Sequence, residues 1–397
     1  MTTQRNLVIC LDGTNNEPEH GATNVARLYD VAVKDENQLV YYDPGVGTMG
    51  ARGAVTQIGK ALTRVAGLVI GYGIKDNIEE AYTWLSRNYQ AGDRIFVFGF
   101  SRGAYTARAL TGMLSTVGLL RPGTENLAPY ALKLYAQGGP PKAKPGHEDD
   151  PAAKLAKSEF WKVRRAFAEQ FGNPDFPDHF DESQRQVHFL GVWDTVKSVG
   201  WLNLKGRIEV ARWPYTAYVQ NVATARHAMA IDERRMPYAE YRFREDMVTP
   251  DGAYQEMWFA GVHSDVGAQF PDDHALSDIA FAWMVKEAEG VELGVDDDRY
   301  HALLHVHLDE DLPAERATGR IHFNEWTWRL AGGWRHRKIR PTGTLHPSVL
   351  HRIEATANDP KPYRPDLRRA TPDQASTPTS RPSSSSVVRS NISATTG

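Results

Sequence analysis

Ser101 lies in Gly99-Phe100-Ser101-Arg102-Gly103, a G-x-S-x-G pentapeptide set between a buried apolar run at 94–98 and a helical pattern over 104–117. Strand, sharp turn and helix is the setting in which this pentapeptide projects a serine hydroxyl above a sheet. The two glycines let strand and helix backbones pass within a side chain's width of each other. A serine attacks an ester only with a base beside it, and the base needs an acid to orient it. Asp194, in GVWDTV, and His263, in GVHSDVG, each follow an apolar run of strand type. The order Ser101, Asp194, His263 is that of an α/β-hydrolase and differs from the orders of the chymotrypsin-type and subtilisin-type proteases. Singly, Ser101 reads as a helix cap, Asp194 as another cap and His263 as a satisfied core histidine. Jointly they read as a nucleophile, acid and base. Asp265 is the alternative acid, but it stands two residues from His263 and reads better as bracing its own loop.

The negative charge that such a reaction develops needs backbone donors. One is the N–H after the nucleophile, that of Arg102. The other comes from a loop after an early strand. Asp12-Gly13-Thr14-Asn15-Asn16 follows the first apolar run, so Gly13 and Thr14 are the candidates, with Asp12 bracing the loop. The glycine-rich turn in YYDPGVGT reads as pocket lining and is too short for a phosphate loop. No G-x-x-x-x-G-K-[ST] is present, which argues against a nucleotide-driven enzyme.

Positioning these residues requires strands that end at one edge. Short β-branched or aromatic runs at 6–11, 38–42, 94–98, 187–192 and 256–262 predict buried strands, and helical patterns at 74–89 and 104–117 lie between them. Alternation of this kind predicts an α/β fold, a mostly parallel central sheet with helices on both faces and ligands at the carboxyl ends of the strands. The segment 121–181 carries eight prolines and interrupts the pattern. It is expected to be an inserted cap or lid, with a helix near 152–171 and with Trp161, Phe167, Phe171 and Phe176 as acyl contacts. Residues 1–366 then form the catalytic domain. In the tail, 367–397, sixteen of the last twenty-seven residues are Ser, Thr or Pro, too few apolar groups to order it.

Composition bounds the rest. The chain has 397 residues, 41% hydrophobic, enough for a large core, and a net charge of −3 that gives no overall bias toward nucleic acid. A single cysteine, Cys10, excludes an intramolecular disulfide and a cysteine-rich metal site. His305 and His307 sit near acidic residues but lack a metal framework, so no metal and no cofactor are expected. No apolar run approaches the ~18–20 residues of a spanning helix and no cleavable signal peptide is visible, so a cytoplasmic location is expected. Trp326, Trp328 and Trp334, in NEWTWRLAGGWRHRKIRP, read as a surface-packed segment with a basic end, suited to ordinary packing or to transient contact with lipid headgroups.

Together RNLVICLDGTNN, YYDPGVGT, GFSRGAYTAR, GVWDTV, WFAGVHSDVG and LHPSVLHR resemble an α/β-hydrolase family that includes the catalytic domains of type VI secretion phospholipase effectors. The resemblance implies a serine esterase acting on acyl esters or phospholipids, with Ser101, Asp194 and His263 at the family's nucleophile, acid and base. It also implies an immunity or secretion partner, and export without a signal peptide, should the chain act as an effector. The family shows two glycines after HSDV; here Gly267 is followed by Ala268. A soluble esterase of non-lipid substrates, or a non-catalytic binding protein on the same fold, are the competing functions.

Overall fold

The computed structural model describes residues 4–13, 22–45, 68–140, 150–181, 183–196, 213–249, 252–323 and 333–367. Thr14, Trp326, Trp328 and the tail beyond 367 lie outside the described residues. Among those described, seven strands form one sheet: β1 Asn6–Leu11, β2 Gln38–Asp43, β3 Arg94–Phe100, β4 Val187–Trp193, β5 Val222–Ala230, β6 Tyr254–Phe259 and β7 Thr344–Leu345. Their order is β2-β1-β3-β4-β5-β6-β7, with every pairing parallel. The helices are α1 Asn24–Val31, α2 Leu68–Asn88, α3 Arg102–Val117, α4 Ala128–Ala136, α5 Pro151–Phe171, α6 His263–Gly267, α7 Ala275–Glu289, α8 Asp297–Leu304 and α9 Pro347–Ala355.

Strand alternation divides the core in two. Leu7, Ile9, Leu11, Ile95 and Val97 point to one face and pack against Ile78, Tyr82 and Leu85 of α2 and Leu110 and Leu114 of α3. Val8, Cys10, Phe96, Phe98 and Phe100 point to the other, against Leu28 of α1, Phe281 and Met284 of α7 and Tyr300 of α8. Apolar residues at a period of two, buried on both faces, are what a parallel sheet between helix layers demands. The fold is therefore α/β, as its sequence pattern predicts.

Two strands escape the pattern. β5, VATARHAMA, is rich in alanine and carries Arg226 and His227, a poor intrinsic strand. It is extended because β4 and β6 satisfy both of its edges, so tertiary pairing overrides propensity. β7 has two residues and completes the edge beside β6. The chain runs from β1 to β2 on one side and then crosses to β3 on the other. The crevice outside the carboxyl ends of β1 and β3 is consequently the switch point where ligands bind in such sheets.

Candidate active site

β3 leads directly into Ser101, whose backbone takes φ 58° and ψ −116°, a conformation that side chains disfavour. Close packing holds it there. A Cβ on Gly99 would stand 2.5 Å from the Gly103 carbonyl oxygen, and one on Gly103 would stand 2.1 Å from that of Leu11. Backbone cannot give way as a side-chain tip can, so both positions require glycine. The Ser101 N–H donates to the Trp193 carbonyl (3.1 Å), tying the turn to the end of β4. The Ser101 hydroxyl makes no capping bond to α3. It lies 2.9 Å from His263 Nε2, which removes the plain helix-cap reading.

His263 opens α6 just beyond β6, and its Nδ1 stands 2.6 Å from Asp194 Oδ2. A carboxylate accepts, so Nδ1 carries the proton and Nε2 is left to accept from the serine hydroxyl. The ring is clamped: Phe100 stacks on it with centroids 4.7 Å apart, and Tyr238 meets its edge at 5.0 Å. Glu233 Oε2 accepts from the His263 N–H (3.2 Å), and Asp232 Oδ2 accepts from the Gly261 N–H (2.8 Å). These two carboxylates follow β5, so the strand hidden from the sequence pattern supplies the braces of the histidine loop. Gly267 makes room for the stacked ring, since a Cβ there would fall 2.0 Å from Phe100 Cε2. Ala268 takes φ 58° and ψ 146°, a region that glycine occupies far more readily. The alanine thus keeps the glycine conformation and carries its strain.

Asp194 turns out of β4 with φ 35°, its N–H donating to the Ala228 carbonyl (2.7 Å). Oδ1 accepts from the Ala230 N–H (3.0 Å), and the fork of Arg337 closes over both carboxylate oxygens, 2.5 Å to Oδ1 and 2.9 Å to Oδ2. Arg337 also donates to the carbonyls of Ala230 and Tyr238. It is 4% exposed, so the basic end expected at the surface turns one of its arginines inward. Burial by itself would raise the Asp194 carboxyl, but the Arg337 charge and the His263 bond outweigh it and hold the group well below the usual carboxylate range. Burial lowers His263, opposed by its bond to Asp194, so the imidazole is neutral at neutral pH. Asp265 does not reach His263. It accepts from the Val262 N–H (2.9 Å) and pairs with His322 Nδ1 (2.6 Å), bracing its loop as its position suggests.

The loop after β1 is built on Asp12, which is 2% exposed. Its Oδ2 accepts from the hydroxyls of Thr23 (2.5 Å) and Tyr42 (2.9 Å), and its Oδ1 from the Gly13 N–H (2.7 Å). Burial raises the Asp12 carboxyl to about 6, against these three bonds. Asp12 therefore braces the loop, while the Gly13 N–H is already engaged and is not available to an oxyanion. That corrects the expectation for Gly13; Thr14 lies outside the described residues. The Arg102 N–H, at the first position of α3, has no carbonyl four residues back to receive it.

The segment 121–181 is not where a lid would be. It leaves and rejoins the body at the carboxyl end of α3, where the Arg121 N–H donates to Phe171 and the Asn173 N–H to Leu119. α3 has 16 residues, so this end lies about 24 Å along the helix from Ser101. Phe176 packs on Tyr89 (5.2 Å) near the start of β3, and Trp161 lines a cavity of about 370 Å³ with Tyr215 and Tyr218. The four aromatics expected to hold an acyl chain thus pack toward the opposite edge of the sheet. His305 ends α8, and His307 bonds Asp297 (2.7 Å). Among the described residues no three ligand-type side chains converge as a metal site would require.

The sequence matches the family model described as type VI secretion phospholipase effector Tle1-like, catalytic domain, over residues 5–287. It is similar to the uncharacterized protein YEL023C of Saccharomyces cerevisiae, 31% identical over 247 residues that make up 60% of this chain and 33% of that protein. Among solved structures it resembles a Tle1 effector bound to the VgrG spike of a type VI secretion system, at 18% identity and a TM-score of 0.33, covering 68% of this chain and 51% of that one. An uncharacterized protein from Pseudomonas aeruginosa is similar at 18% identity and a TM-score of 0.32, covering 74% and 46%. The chain spans about a third of the yeast relative and about half of each solved chain.

Proposed function

The chain belongs to the family of Tle1-like phospholipase effector catalytic domains, and on that premise we propose that it is a serine hydrolase cleaving the acyl esters of lipids, phospholipids foremost. The observation that carries the reading is the hydrogen-bonded series Ser101–His263–Asp194 at the carboxyl ends of β3, β6 and β4. Residues 1–366 would act as one catalytic unit around it.

In this reading Ser101 Oγ attacks the ester carbonyl carbon while His263 Nε2 takes the hydroxyl proton. Asp194 holds the ring and stabilises the imidazolium; Arg337 holds Asp194. The carbonyl oxygen, now an oxyanion, meets the Arg102 N–H and a second donor from the loop after β1, for which Thr14 is the candidate. The intermediate collapses, the C–O bond to the alcohol breaks, and His263 returns the proton to the departing alkoxide. A water then repeats the sequence on the acyl-serine. His263 takes its proton, the carboxylic acid leaves, and the serine hydroxyl is restored. No helix among the described residues is long and apolar enough to cross a membrane.

Hydrolysis of phospholipid vesicles and of a soluble short-chain ester by wild type and Ser101→Ala tests the reading. Fatty-acid release from vesicles that depends on Ser101 is the expected result. Turnover of the soluble ester alone would leave a non-lipid esterase, and inactivity on both would overturn the assignment.

A further inference from the structure

Behind the Asp194 turn lies a second set of buried polar side chains that the reaction above does not use: Arg108 of α3, His227 of β5 and Glu256 of β6. Trp193 is the last residue of β4, and Asp194 leaves it with φ 35°. The Thr195 N–H that follows is buried, and a buried N–H must find an acceptor. Its acceptor is His227 Nε2 (3.1 Å), while the Thr195 carbonyl accepts from the Tyr241 N–H (2.9 Å). β5 thus holds the turn at three places. The Ala228 carbonyl accepts from the Asp194 N–H, the Ala230 N–H donates to Asp194 Oδ1, and His227 accepts from Thr195. The first two are backbone groups that any residue would bring. His227 does its part with a side chain, and an apolar strand residue could not replace it.

One tautomer of the ring fits. A nitrogen that accepts carries no proton, so the neutral ring has its proton on Nδ1. Burial keeps the ring neutral, lowering it to about 4. Nδ1 faces the Glu256 carboxylate, whose Oε1 is 3.8 Å away and is fixed by the Phe243 N–H (2.9 Å). That negative charge favours a proton on the Nδ1 side. Arg108 Nη2 stands 3.2 Å from the same nitrogen, and its guanidinium lies 4.1 Å over the Phe243 ring. With the proton on Nε2 instead, Nδ1 would accept from Arg108, and two donors would face each other at Thr195. Glu256 and Arg108 therefore pull the tautomer in opposite directions, and the Thr195 bond records that Glu256 prevails.

We propose that His227 is a positioning residue for the acid: by accepting from the Thr195 N–H it fixes the Asp194 turn in the orientation that brings the carboxylate to His263. Glu256 keeps Nε2 free for that task by placing the ring proton on Nδ1. The proposal rests on the serine-hydrolase reading above.

The test compares wild type, His227→Leu, His227→Gln and Glu256→Gln on a soluble short-chain ester, with kcat and KM read separately and urea unfolding showing which variants are folded. His227→Leu fills the space without an acceptor. It should lower kcat about 10- to 100-fold, the range that a stranded buried donor spans, with KM unchanged. The Gln amide oxygen reaches the place of Nε2 and should restore most of kcat, which a merely space-filling role would not require. Glu256→Gln should lower kcat by a smaller factor, and that loss should vanish in a His227→Gln background, where no tautomer remains to be set. A folded His227→Leu with wild-type kcat, or a His227→Gln as impaired as His227→Leu, overturns the proposal while leaving the hydrolase reading intact. Should His227→Leu fail to fold, Glu256→Gln decides, and its unchanged kcat would overturn the proposal. A wild type inactive on esters overturns the hydrolase reading and this proposal with it.

Discussion

Arg337→Met probes the catalytic centre without touching Ser101, Asp194 or His263. The arginine donates two bonds to Asp194 and one each to the carbonyls of Ala230 and Tyr238, all in a buried site. Breaking a buried ion pair by removing one partner costs about 3–5 kcal/mol, because the other charge is left uncompensated. Asp194 keeps the Ala230 N–H and His263, but burial then dominates and its carboxyl rises. Taking away the cation also favours protonated His263, which Arg337 no longer repels. Both changes act in one direction: the acidic limb of the kcat/KM profile moves to higher pH. Loss of a charge-assisted bond worth about 1.5–3 kcal/mol lowers kcat/KM about 10- to 100-fold near neutrality, with partial recovery at alkaline pH. A pH series on a soluble ester, with urea unfolding in parallel, checks both parts. Should Arg337→Met fail to fold, Arg337→Lys keeps the charge, loses the fork and should show the same shift in smaller measure. A folded Arg337→Met with wild-type kcat/KM and an unmoved acidic limb would refute the reasoning.

Three further outcomes are expected. Gly103→Ala sets a Cβ 2.1 Å from the Leu11 carbonyl oxygen, so the turn must open; soluble yield and ester turnover should both collapse, and a fully active variant would disprove the close approach. Asp12→Ala strands the hydroxyls of Thr23 and Tyr42 and the Gly13 N–H, which should cost about 2–4 kcal/mol in urea unfolding and lower kcat, whereas Asp12→Asn should cost less. Acid should destabilise the protein: His227 and His346 are lowered to about 4, chiefly by burial, so the unfolded chain binds their protons first. Their contribution is whole above about pH 6.5 and is lost as pH falls toward 4, at up to about 1.4 kcal/mol per pH unit for each. Asp12, raised to about 6, works in the opposite sense from about pH 6 down to about pH 4. His227→Gln should flatten the slope of stability against pH between 6.5 and 4; an unchanged slope would show that His227 does not contribute.

What could be read from the sequence was whatever a local pattern carries. Short β-branched or aromatic runs placed β1, β3 and β4, and residues just past strand ends drew attention to Ser101, Asp194 and His263, which the fold brings into one hydrogen-bonded series. Arg337 has no such signal. It is one of several basic residues in a row, and its bond to Asp194 spans 143 positions of the chain. β5 was hidden for the complementary reason: its alanines, Arg226 and His227 form a strand only between two others. Gly13 looked like an oxyanion donor because its position was right, but whether an N–H is already bonded depends on where the Asp12 side chain turns. Position misled for 121–181 as well, since an insertion in sequence next to the nucleophile's helix attaches at that helix's far end.

The central claim, that Ser101 is a nucleophile activated by His263, is tested most directly by covalent trapping. Wild type, Ser101→Ala and His263→Ala would be incubated with a fluorophosphonate, which phosphonylates activated serines, and analysed by intact mass and peptide mapping. The account predicts one adduct per chain, on the peptide containing Ser101, absent from Ser101→Ala and formed far more slowly in His263→Ala. An adduct on another residue, or a wild type that stays unlabelled while hydrolysing esters, would contradict it.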